Sequence, residues 1–176
     1  MNLFEYLEFI NTECTLISSP SPILAKKAIK LDGNPPNGLK HRIGLGTLKS
    51  CDYIKFNKNE ILFIEFSDLC EQLRNLNSSL STVSGIVPCR LVTTPVDIIK
   101  TELQQKISET KHIFNSLSKT LGLSNNKQEI FIIVMCKQIN TDIIFFDKIV
   151  RDLRRKFSSL FQIELYSLNT LPSSLV

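Results

Sequence analysis

The sequence predicts an α/β fold with a mixed central sheet, and three observations carry that prediction. A β-rich hairpin spans residues 51–67, a long amphipathic helix follows at 95–121, and Glu129-Ile-Phe-Ile-Ile-Val-Met-Cys136 is an almost unbroken apolar run. Such a run, lacking polar alternation, is the pattern of a strand buried on both faces. An antiparallel meander followed by βα units gives a mixed sheet, with helices expected on both of its faces. At 176 residues and 43% hydrophobic content, the chain has the size of one domain with a substantial core. Residues 1–40 read as an N-terminal helix and an irregular arm, and residues 41–168 as the core.

Each element has its own signal. Leu3, Leu7 and Ile10 mark one face of a helix expected over 3–14. Ser-Ser-Pro-Ser-Pro and Asn-Pro-Pro-Asn-Gly then punctuate an irregular stretch around Ile23–Leu31, read as a short helical piece. His41–Leu48 is expected as a strand, with Gly44 and Gly46 marking a bulge or a close backbone approach. Strands at 51–57 and 60–67 flank a hairpin turn at Asn57-Lys-Asn59, which makes these three a meander. Asp68 is placed to cap a short helix reaching Leu76, and Val87–Val92 is a candidate edge strand, because Pro88 lacks the donor a central strand needs.

The 95–121 helix is the best marked. Val96, Ile99, Leu103, Ile107, Phe114, Leu117 and Leu121 hold one stripe, with Thr110 its polar break, Pro95 at the first turn and Gly122 beyond the end. A helix at 142–161 turns Phe146, Ile149, Val150, Leu153, Phe157 and Leu160 inward, and a last strand at 162–168 precedes a short polar tail.

The formal net charge of +4 permits contact with a phosphate backbone without requiring it. Five scattered cysteines show no metal-ligand spacing, so they are expected as reduced thiols in a cytoplasmic protein. No apolar run is long enough to cross a bilayer, and the first residues lack the pattern of a signal peptide, so no membrane partner is expected. Phosphate-loop, dinucleotide, nucleophile-elbow and zinc-protease motifs are all absent.

Two constellations remain. Alternation places Glu65 and Ser67 on one face of the 60–67 strand, and a hairpin register brings Asp52 toward Glu65. Two carboxylates suit Mg²⁺, which keeps several waters and needs few protein ligands. On the 142–161 helix, Lys148, Arg151 and Arg155 share the side opposite the apolar stripe, a face for phosphates or an acidic partner.

Asp52, the Glu65-Phe-Ser67 triplet and the order of elements over 40–168 resemble the PD-(D/E)XK restriction-endonuclease-like superfamily. That resemblance implies Asp52 and Glu65 as metal ligands and catalytic carboxylates, with Glu5 or Glu8 as a further acid. It also implies a lysine two residues after the glutamate, where this chain has Ser67. Lys100 is the expected replacement, with Gln104 as an assisting polar residue; Lys55 has the wrong alternation. Serine at position 67 directs the functional expectation toward a nuclease-fold protein that does not cut, needs no cofactor and acts through a protein partner. Its concrete form is an immunity or antitoxin protein that neutralises a toxin domain. The alternative is an active Mg²⁺-dependent nuclease on DNA or RNA, with Lys148, Arg151 and Arg155 along the backbone.

Overall fold

The computed structural model describes residues 2–12, 23–33, 38–82, 94–123, 126–136 and 142–175. Its centre is a six-stranded sheet in sequential order: β1 (Leu7–Asn11), β2 (Ile23–Lys30), β3 (Tyr53–Phe56), β4 (Glu60–Ser67), β5 (Gln128–Met135) and β6 (Gln162–Ser167). β1 to β4 form an antiparallel meander; β4, β5 and β6 are parallel. The predicted α/β class with a mixed sheet is what the chain forms.

The helices are α1 (Leu39–Arg42), α2 (Leu69–Thr82), α3 (Pro95–Leu121) and α4 (Asp142–Phe157). Asp68 caps α2 by accepting from the Glu71 amide at 3.0 Å. Thr94 caps α3 by accepting from the Asp97 amide, and Gly122, at φ +64°, closes it in the left-handed conformation.

The first third of the chain differs from expectation. The 3–14 stretch is a 3-10 turn, Leu3–Tyr6, leading into β1, and the Ile23–Leu31 piece is β2 rather than helix. Both segments are too short for local propensity to hold a helix in water, and pairing such as Leu7 with Ile29 recruits them to the sheet. The described segments of the arm expected over 1–40, β1 and β2, therefore belong to the central sheet. His41–Leu48, expected as a strand, contains the end of α1 and tight turns. Gly44 sits at φ +75°, and a Cβ on Gly46 would lie 2.0 Å from Nδ1 of His41, so the two glycines serve a turn and a close approach. Val87–Val92 lies outside the described residues.

Among the described residues, every buried apolar side chain of α1 to α4 belongs to one core cluster, with Phe63, Phe131 and Ile163 of the sheet. Helices on both faces were expected. They share one face, in keeping with two successive crossovers, β4 to β5 and β5 to β6, that step in the same direction across the sheet and take the usual right-handed sense. The other face gathers Ile10, Ala28, Tyr53, Leu62, Ile64, Ile132 and Val134 beneath the C-terminal residues Leu168, Leu171 and Leu175. The tail is thus part of the core, and Lys55 fastens it by donating to the carbonyl of Ser174.

Cys51 is free and buried, whereas Cys136 is disulfide-bonded. The expectation of five reduced thiols does not hold, which removes one ground for expecting a reducing compartment. No helix among the described residues is long and apolar enough to cross a membrane.

Candidate functional site

The hairpin register pairs Tyr53 with Ile64, and the Asp52 amide donates to the Ile64 carbonyl at 3.0 Å. One step further along the ladder, Asp52 faces Glu65. The Asp52 carboxylate turns toward the neighbouring strand and accepts from the Phe66 amide at 2.7 Å. Glu65 is 1% exposed, on the face covered by α3. A carboxylate so placed needs a counter-charge, and Lys106 of α3 supplies it, with Nζ 2.5 Å from Oε1 of Glu65. The other carboxylate oxygen, Oε2, is buried with no hydrogen-bond partner among the described residues.

The charges of this group are strongly coupled. Burial, and then the charge of Asp52, push the Glu65 carboxyl up to about 8, against the pull of Lys106. Burial acts to lower the Lys106 ammonium, but Glu65 and Asp52 outweigh it and hold Lys106 above its ordinary value. The two shifts favour opposite states of one ion pair, a neutral acid beside a charged amine. We take the ammonium as charged, because two carboxyl groups face it. Burial, followed by Glu65 and Asp52, raises the thiol of Cys51 well above its usual range, so it is an inert neighbour.

The expectation of a relocated lysine thus meets an amine at a different position. Lys100 donates to Asp152 of α4 and ties the two helices together. It lies six residues before Lys106, roughly 9 Å along the axis and about a third of a turn around it. Gln104 accepts from Lys156 at 2.6 Å. Glu8 accepts from the Tyr53 hydroxyl, which belongs to the opposite core cluster, and Glu5 sits in the N-terminal 3-10 turn. Ser67 is buried at the end of β4.

A signal for Lys106 was present in the sequence. Ile99, Leu103, Lys106, Thr110, Ile113 and Leu117 fall at alternating steps of four and three, the seam of a helix that packs along its length. All are buried except Lys106, whose side chain is 20% exposed. A lysine within an apolar seam implies a buried partner.

On α4, Lys148, Arg151 and Arg155 are exposed as expected. Arg151 pairs with Asp147 at 3.0 Å and Arg155 with Asp152 at 3.5 Å, which weakens the outward field of that face.

Among the described residues, no three His, Cys, Asp or Glu side chains converge as a metal-holding group. The donors present are the two carboxylates of Asp52 and Glu65, with one oxygen of Glu65 unpartnered. That set fits Mg²⁺, which is bound through one or two carboxylates with water completing its shell. No protein-family model, curated protein or solved structure matches this chain.

Proposed function

We propose that this chain is a PD-(D/E)XK-like, metal-dependent nuclease in which Lys106 provides, from α3, the amine absent at Ser67. The observation that supports this reading is the meeting of Lys106 with Glu65, beside Asp52, around a buried carboxylate oxygen that has no partner among the described residues. A purely structural ion pair would gain by satisfying that oxygen, since an orphaned buried acceptor costs on the order of 1–3 kcal/mol.

Asp52 and Glu65 would hold Mg²⁺, which when bound supplies Lewis acidity toward a phosphodiester and activates water. The protein's own residues do the rest. The Phe66 amide fixes the Asp52 carboxylate through one hydrogen bond, so that it need not reorganise. Lys106 is the most accessible member of the Glu65 ion pair, and its positive charge offsets negative charge on a phosphate. The expected absence of catalysis drew its weight from the missing lysine, and an amine at Glu65 answers that objection.

Calorimetric titration with Mg²⁺ or Mn²⁺, beside cleavage assays on DNA and RNA, tests the reading. Wild type should bind the ion and cut; Asp52→Ala/Glu65→Ala should do neither. A wild-type chain that neither binds nor cuts sinks the proposal.

One observation favours the second reading, a non-catalytic protein that binds and neutralises a toxin-like partner. A groove of about 350 Å³ opens on the outer strands, lined by Leu3, Phe4, Leu7, Ile29 and Phe56, and Phe4 is 80% exposed. Exposed apolar surface of this kind marks interaction sites. A photo-reactive residue at position 4 should capture a single protein adduct in the source cells, abolished by Leu7→Ser; absence of any adduct removes this reading.

A further inference from the structure

Thr110 is fully buried in the seam of α3, one turn beyond Lys106. The apolar neighbours in that seam pack without polar groups, and a hydroxyl there is costly unless it is bonded. Its oxygen accepts from the amide of Cys51 at 2.9 Å, a bond between residues 59 positions apart in which both partners are buried. Cys51 immediately precedes Asp52 and lies before β3 begins, so its amide is not held by the β3–β4 ladder.

The remaining backbone groups of Asp52 are also held. Its amide donates to the Ile64 carbonyl at 3.0 Å, and its carbonyl accepts from the Leu31 amide at 2.9 Å. Its carboxylate accepts from the Phe66 amide. β4 and the residue that follows β2 therefore hold Asp52, and one helix holds the residue before it. The same helix, one turn earlier, holds Glu65 through Lys106.

We infer that Thr110 is a positioning residue of the carboxylate pair: through the Cys51 amide, its hydroxyl sets Asp52 opposite Glu65, so that α3 aligns both carboxylates at once. The inference rests on the proposed metal-dependent reading of that site. Thr110 touches neither carboxylate and acts only through the backbone. Hydrogen-bonding supports of this kind around metal ligands are typically worth about 10- to 100-fold in metal affinity.

The test uses the full chain with Mn²⁺ alone as the calorimetric probe and a labelled DNA duplex for kinetics. Thr110→Val keeps the shape and removes the acceptor, whereas Thr110→Ser keeps it. Thr110→Val should weaken Mn²⁺ binding roughly tenfold or more and lower kcat with little change in KM. It should also speed amide exchange at Cys51 and at Phe66, which reports on the Asp52 carboxylate. Thr110→Ser should restore all three. If Thr110→Val does not fold, Thr110→Ala removes the same oxygen without the bulk. Wild-type Mn²⁺ affinity in the valine chain overturns the inference while leaving the nuclease reading intact. Equal damage from serine and valine also overturns it, because a retained hydroxyl would then not rescue the site. A wild-type chain that binds no Mn²⁺ removes the nuclease reading, and this inference with it.

Discussion

Beneath α3, the helix-covered face of the sheet carries the buried carboxyl groups of Asp52 and Glu65, met from the helix by the partly buried Lys106. Nearer the edge formed by β1 and β2, the same face carries Phe4, Leu7 and Phe56, apolar groups left open to it. Each region holds what the other's environment would suit. The difference follows from where the helix layer stops. α3 reaches β3 through Phe114 against Phe56, β4 through Lys106 and β5 through Lys111 with Glu129. Over β1 and β2 the covering element is the 3-10 turn of Leu3–Tyr6. Charge buried under a helix is costly and so points to chemistry; apolar surface beyond the helix is cheap to retain and points to contact with another molecule.

The comparison breaks most readily at Lys106. Above about pH 8, where Glu65 is ionised, Lys106→Ala leaves it buried without its counter-charge, and chemical denaturation should show a loss of about 3–5 kcal/mol. On the proposed nuclease reading, cleavage should fall by roughly a hundredfold or more as well. A change below about 1 kcal/mol would mean that the pair is solvated and no different in kind from the exposed pairs on α4.

Aromatic residues sharpen the contrast within one residue type. Phe63 is fully buried, with its ring 5.0 Å from those of Phe114 and Phe161. Phe63→Ala should cost about 3–5 kcal/mol, whereas Phe4→Ala at the open groove should stay within about 0.5 kcal/mol in the same urea titration. A large cost at Phe4 would show that the groove is closed in solution.

The pH dependence isolates the charged region. The folded-state carboxyl of Glu65 lies near 8, above its ordinary 4.5, so folding takes up a proton there. The associated stability is fully present below the unfolded value and is lost as pH rises through 8. Lys106, raised above 10.5, stays protonated in both states over this window and adds no slope. Denaturation midpoints between pH 5 and 9 should decline in wild type, with that decline weakened in Glu65→Gln; identical profiles would refute the assignment.

A modest, local effect belongs to neither region. Thr94→Ala removes the cap of α3, the element that covers one region and leaves the other bare, and should cost about 1 kcal/mol of stability. Amide exchange confined to the first turn of α3 would confirm that the loss is local.

Much of the parallel half was legible in the chain itself. α3 is bounded by Pro95 and Gly122, β5 declares itself by its apolar run, and the Asp52–Glu65 pair follows from alternation in a hairpin. These are local signals, repeated over enough residues to dominate any competitor. β1 and β2 were not legible, because Leu3, Leu7 and Ile10 satisfy a helical period, and Ala-Lys-Lys-Ala in β2 is a run of good helix formers. Lys106 was present as an anomaly in a seam, but nothing along the chain says which carboxylate lies beneath it.

By itself, then, the sequence determined the α/β class, the two long elements and the two carboxylates, since each depends on residues close together in the chain. Only the tertiary structure decided that the N-terminal segments join the sheet, that the helices share one face, and that Lys106 rather than Lys100 meets Glu65. Those outcomes depend on pairings across 41 residues for the ion pair and 59 for the Thr110 bond. At such separations the free energy comes from packing and desolvation once the chain has closed on itself, not from local preference.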